Sequence, residues 1–177
     1  MKTRFAAVLM SAACALPAMA ADSYTVDPSH TYPSFEINHL GFSTMRGTFD
    51  TTNGKIVLDP AARSGSIEIT IDANSVDTGH GKRDEHLRGE EFFNVARFPT
   101  LTYKSTRLKF DGDTLSGADG ELTLLGVTRP VSLIITAFNC GPHPMNKKQV
   151  CGANATATIR RSEFGMKTYV PNVGDEV

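Results

Sequence analysis

The sequence predicts an all-β fold, an antiparallel sandwich or barrel with one short helical excursion around residues 80–95. Three observations carry this. Residues 66–72 read SIEITID, in which Ile67, Ile69 and Ile71 alternate strictly with polar residues. A period of two is that of a half-buried strand with one wet face. Similar short segments recur along the chain between clusters of glycine, proline, asparagine and aspartate, which punctuate strands. No alternation of strands with helical patterns appears, so a parallel βαβ sheet is not expected.

The elements follow in order. Lys2 and Arg4, an apolar run from Phe5 to Leu16 and the triplet Ala18, Met19, Ala20 form the pattern of a secretory signal peptide, with cleavage expected after Ala20. The rival, lipoprotein processing at Cys14, lacks the leucine usual three residues before the cysteine. The expected organisation is a leader at 1–20 and one domain at 21–177. Removing Lys2 and Arg4 leaves sixteen basic and nineteen acidic residues, a net charge of −3. There is no basic surplus to attract nucleic acid or an anionic membrane. No later apolar stretch is long enough to span a bilayer. The expected product is exported and soluble.

Residues 34–39 alternate, with Phe35 and Ile37 on the face opposite Glu36. Residues 55–58 are another candidate strand. Leu101 and Tyr103 oppose Lys104, and residues 107–110 and 114–115 flank a turn at Asp111, Gly112 and Asp113 as a hairpin. Residues 121–125 and 131–138 flank GVTRP (126–130), which reads as a turn. Leu122 and Leu124 oppose Glu121, and register with Val131 selects Leu133 and Ile135 as inward. Residues 152–160 form the last clear strand and place Ala153, Ala155 and Ala157 on one face. An inward alanine face fits a ligand cavity and equally fits a core filled by large side chains opposite.

Residues 75–99, SVDTGHGKRDEHLRGEEFFNVARFP, interrupt the strands. From 82 to 95 the spacing is helical, with Leu87, Glu91 and Val95 on one stripe and Phe92 beside it. His80, Asp84 and His86 do not form a metal set: positions 84 and 86 diverge by about 200° on a helix, and no HExxH spacing is present. Asp84 and Glu90 are expected to pair with Lys82, Arg83 and Arg88, and Asp77 and Thr78 to cap the segment. The reading is structural: no catalytic residue, no metal and no cofactor. Cys140 and Cys151, the two cysteines left after the leader, are expected to form a disulfide closing a long hairpin connection.

Four segments carry a resemblance: residues 26–50 (VDPSHTYPSFEINHLGFSTMRGTFD), 75–106, 120–133 (GELTLLGVTRPVSL) and 157–165 (ATIRRSEFG). In this order they resemble the YceI-like family of periplasmic polyisoprenoid-binding proteins. Thr31 stands where the family pattern usually has serine. The resemblance implies a lipocalin-like, eight-stranded antiparallel β-barrel in the periplasm. Its apolar tunnel would hold a polyisoprenoid lipid, such as the tail of an isoprenoid quinone, and a membrane b-type cytochrome is the partner by family association. The chain lacks tryptophan, so it does not carry the true lipocalin signature. Family members usually continue past residue 177 with a further alternating strand. The final strand is therefore expected to be truncated, or the barrel to close otherwise, and an open edge would favour a homodimer.

The expected ligand contacts are the inward residues Phe35, Ile37, Ile67, Ile69, Ile71, Leu101, Tyr103, Leu122, Leu124, Leu133, Ile135, Ala155, Ala157 and Ile159. Phe92 and Phe93 are expected at a tunnel mouth, and the Tyr103 hydroxyl is the candidate partner for a head group. Two other classes compete with the carrier. An enzyme would be sought first at His30 with Asp27 or His39. An envelope stress-associated structural protein would have an incidental cavity.

Overall fold

The computed structural model describes residues 21–177, so the expected signal peptide lies outside the described residues. The strands are β1 (Asp22–Thr25), β2 (Ser34–His39), β3 (Ser43–Phe49), β4 (Thr52–Asp59), β5 (Ser64–Asp72), β6 (Val76–Asp77), β7 (Thr100–Asp111), β8 (Thr114–Leu124), β9 (Val127–Pro142) and β10 (Gln149–Thr156). One helix, α1 (Gly81–Arg88), lies between β6 and β7. Seven strands form an antiparallel sheet in the order β1-β4-β5-β7-β8-β9-β10, and three form a second in the order β2-β3-β6.

The two sheets share a corner. β3 runs into β4 through Asp50 and Thr51, and β5 runs into β6 through a 3-10 turn at Ala73–Ser75. The antiparallel pair β4–β5 therefore continues as β3–β6. At the bend Asp50 N donates to Ser75 O (3.1 Å), Thr51 N to Ser75 Oγ (3.0 Å) and Asp72 N to Thr51 O (3.0 Å). The whole is a nearly closed, barrel-like antiparallel sheet.

Ten strands replace the expected eight. β3 and the two-residue β6 have no clean alternation to read. Conversely, 101–105 and 107–110 are one strand, β7, with register shifts between Ser105 and Arg107 and between Lys109 and Phe110. A bulge inserts a residue and switches the face of all that follows, so the inward set moves from Leu101 and Tyr103 to Leu108. Residues 126–130 are not a turn. The turn is Leu125 and Gly126, both left-handed at φ 53° and 72°, the two-residue hairpin geometry, and 127–130 already belong to β9. The helix is shorter than the 82–95 stripe: it ends at Gly89, whose N–H bonds back to His86 O, and the chain continues in turns.

The interior holds two packed clusters. One centres on Phe49, Val76, Phe93, Leu101, Leu124 and Phe164. The other centres on Leu58, Ile67, Tyr103, Leu108, Leu115 and Ala118. Leu122 and Val131 touch both. Tyr103 lies over Gly120, where a Cβ would collide with its ring and with the Lys104 carbonyl.

Candidate functional site

The inner wall is built by alternation, and the expected residues differ in how far they enter it. Ile67, Phe92, Phe93, Leu101, Tyr103 and Leu124 are buried within the clusters. Phe35, Ile69, Ile71, Leu122, Leu133, Ile135 and Ile159 are half-buried and pack against them. Ile37 is half-buried outside both. Ile134, between two inward residues, is 62% exposed, as register with Val131 requires. Phe92 and Phe93 are core rather than mouth: Phe93 meets Phe49 edge-on at 5.3 Å and Phe92 meets His86 at 5.0 Å. The Tyr103 hydroxyl is not offered to a head group. It lies 3.1 Å from Ala118 O and 3.2 Å from Val131 O, and burial pushes its pKa up.

The alanine face is uncovered. Ala153 pairs with Phe138 and Ala155 with Ile135. Directly paired residues point to the same face, and Phe138 and Ile135 pack on the second cluster. Ala153 and Ala155 thus share the inner face, yet both are exposed, as is Ala157 just beyond the end of β10. No large side chain fills the space in front of them. Cys140 and Cys151 are directly paired across β9 and β10 and disulfide-bonded.

The 75–99 stretch is a staple. Asp84, buried in α1, accepts from Thr78 N (2.9 Å) and the Thr78 hydroxyl (2.5 Å). Arg83 donates to Thr78 Oγ1 and Thr78 O (2.7 Å each), and Arg88 donates to Asn74 O and Val76 O (2.8 Å each). The arginines thus hold backbone carbonyls rather than forming the expected ion pairs. Burial alone would raise the Asp84 pKa; the Thr78 hydroxyl and amide, with the charges of Arg88 and Arg83, lower it below the ordinary carboxylate value. His80, not Asp77 or Thr78, caps α1, its Nδ1 accepting from Arg83 N (3.3 Å). His86 pairs with Glu91 at 3.1 Å. Among the described residues no three histidine, cysteine or acidic side chains gather as a metal set.

Arg161 does the same for the C-terminal segment. It is 2% exposed and donates to Gly174 O (2.7 Å), Met166 O (3.1 Å), Thr168 O (2.9 Å) and Val173 O (3.0 Å). Asp175 accepts from Ser162 N (2.9 Å) and its hydroxyl (2.8 Å), which holds its carboxyl below the usual range. At the other candidate position, Asp27 binds the Ser29 hydroxyl (2.6 Å) and His30 Nδ1 (2.8 Å), and these bonds lower its pKa to about 2. The group is an exposed turn outside the apolar interior, and His39 lies on β2, in a bridge to Val173.

Two clefts open beside residues 157–160. One of about 420 Å³ is lined by Asn38, Arg160, Gly174, Asp175 and Glu176. The other, of about 370 Å³, has Arg129, Val131, Ile159, Arg160 and Phe164 in its wall.

With this architecture in place, the comparisons are decisive. The YceI-like domain model matches residues 24–177. The chain belongs to the YceI-like family. Among its relatives, a YceI protein of Escherichia coli O157:H7 is 39% identical over 98% of this chain and 89% of its own. A UPF0312 protein of Enterobacter sp. strain 638 is 41% identical over 90% and 83%. A solved YceI protein of Campylobacter jejuni, 28% identical, superposes with a TM-score of 0.65 over 87% of this chain and 91% of its own. A polyisoprenoid binding domain from Saccharophagus degradans, 17% identical, shares the fold with a TM-score of 0.54 over 84% and 80%. The YceI-like segments RDEHLR and RRSEFG thus fall on Arg83, Asp84, Arg88 and Arg161, whose work is to hold backbone. Arg161 was not among the residues the sequence singled out: it stands between Arg160 and Ser162 with Glu163 two residues on, and nothing in that context marks it as buried.

Proposed function

We propose that this YceI-like chain is a periplasmic carrier that shelters a polyisoprenoid lipid against the inner face of its barrel, with an isoprenoid quinone the first cargo to test. The observation that carries this is the uncovered inner face of β10. Apolar wall continues from Ile135 and Phe138 onto Ala153 and Ala155, where small side chains leave room. A polyprenyl tail laid there would lose apolar surface to water, contributing roughly 25 cal/mol per Å² buried before the cost of ordering the chain. The described polar groups near the wall, Tyr103 above all, are committed to the backbone, which suits an unfunctionalised tail. The naming of the Saccharophagus degradans domain, which shares the fold, supports the same reading. Export, and delivery to a membrane electron-transfer partner such as a b-type cytochrome, complete it on family resemblance.

The test is native mass spectrometry of the protein purified from its native compartment, followed by organic extraction. One polyprenyl compound per chain is expected. A chain that leaves the cell empty and takes up no polyprenyl lipid supplied to it would overturn the carrier reading in favour of an incidental cavity.

A further inference from the structure

We propose that a fork in the barrel wall, between the first half of β9 and residues 157–160, is a lateral portal. Arg129 and Arg160 there bind the oxygen-rich head group of a polyprenyl lipid, while its tail passes inward over Val131, Ile159 and Phe164. The proposal rests on the carrier reading and adds to it an entrance and a head-group chemistry.

The fork follows from the pairing. β9 keeps β8 along one side from Val127 to Ile134. On its other side it pairs with β10 from Pro142 only as far as Ile134, opposite Thr156. Beyond Thr156 the chain leaves β9. Arg160 instead bridges to Glu176, and Ile159 exchanges two hydrogen bonds of 2.9 Å with Val177. The 370 Å³ cleft occupies this fork, a volume at the lower end of the roughly 300–1,000 Å³ of small-molecule sites. Its lining is mixed: four charged side chains, Ser132 and Thr158 surround the apolar Pro130, Val131, Ile159 and Phe164. Phe164 is buried, Ile159 packs on the first cluster and Val131 touches both clusters, so the floor is the junction between the two halves of the interior.

The rim carries unspent donors. Arg129 gives one hydrogen bond, Nε to Glu163 O at 3.3 Å. Arg160 makes one contact, Nη2 to Glu176 at 3.7 Å, and its side chain is 61% exposed. Arg161, the next residue, uses its guanidinium on four carbonyls, so the two neighbours have separate duties. A guanidinium presents five N–H groups in a rigid fork suited to grouped oxygen acceptors. Glu163 and Glu176 share the rim, so charge is balanced and donor geometry, rather than net attraction, selects the head. A terminal phosphate and a quinone ring both present such oxygens.

The experiment uses the full chain and three probes with the same four-isoprene tail: a prenyl phosphate, a prenylated quinone and the tail hydrocarbon alone. Both arginines are exposed, so Arg129→Gln/Arg160→Gln is expected to keep the wild-type fold and melting profile. It should bind the headed probes about tenfold or more weakly, since a lost hydrogen bond to a charged group is of that order, and bind the hydrocarbon unchanged. The larger loss, for phosphate or for quinone, identifies the head. Ile159→Trp, in a chain without native tryptophan, narrows the floor and should slow uptake of all three probes. Headed probes that bind the double variant as they bind wild type overturn the head-group assignment, and unchanged uptake by Ile159→Trp overturns the portal. A wild type that binds no probe removes the carrier reading together with this one.

Discussion

Replacing Arg161 by methionine tests the claim that this YceI-like chain is anchored by a guanidinium used wholly on backbone. Methionine approximates the length of the stem and removes every donor. Four carbonyls, on Met166, Thr168, Val173 and Gly174, lose a partner. Hydrogen bonds to charged groups contribute about 1.5–3 kcal/mol each, but four bonds from one planar group are far from additive. Removing the charge also relieves its burial, which already lowers the Arg161 pKa. The expected net loss is about 2–4 kcal/mol, out of the roughly 5–15 kcal/mol typical of a domain. For a chain of this length that is a fall in Tm of roughly 4–16 °C. Urea unfolding under non-reducing conditions gives the loss. Hydrogen exchange should locate it at the amides of Met166, Val173 and Gly174. Arg161→Lys, with the charge but not the fork, should recover less than half. A methionine variant within about 0.5 kcal/mol of wild type, with those amides equally protected, would refute the reasoning.

Three further outcomes are expected. Asp84→Asn should cost about 1–2 kcal/mol near neutral pH; because the folded Asp84 pKa lies below its ordinary 3.8, its contribution is present above that value and lost as pH falls through the folded pKa, so urea curves of variant and wild type should converge in acid. Thr52 is fully buried with no partner for its hydroxyl, and Thr52→Val should raise stability by about 1 kcal/mol, read as a higher urea midpoint. Cys140→Ser/Cys151→Ser opens a loop of sequence separation 11 and should lower stability by about 2–3 kcal/mol; equal midpoints for this variant and the oxidised wild type would contradict that.

The wall was legible where alternation is unbroken. Ile67, Ile69 and Ile71 face inward as their spacing demands, and the Cys140–Cys151 bridge matches the pairing expected of the two cysteines after residue 20. β7 was not legible as a single element because the bulge at Thr106 shifts the phase, and a period-two pattern cannot be followed across a phase change; β9 was cut short because GVTRP carries turn residues although 127–130 already pair. The helix was overread because Val95 and Phe92 pack inward from turns, not from a continuing helix. The duties of Arg83, Arg88 and Arg161 were hidden for a different reason. Their acceptors are main-chain carbonyls, which every residue has and no letter of the sequence marks.

The shared corner has a mechanical consequence. With β3–β4 and β5–β6 running through it as unbroken chain, the protein has a spine, as a bound book does. Arg83, Asp84 and Arg88 are stitched to its outer edge at Asn74, Val76 and Thr78. Away from the spine, β2 is tied to the chain just past β10 only through the C-terminal segment, which bridges His39 to Val173 and Arg160 to Glu176. Breathing motions should therefore leave amide exchange at the spine slow while that of the fore-edge is fast.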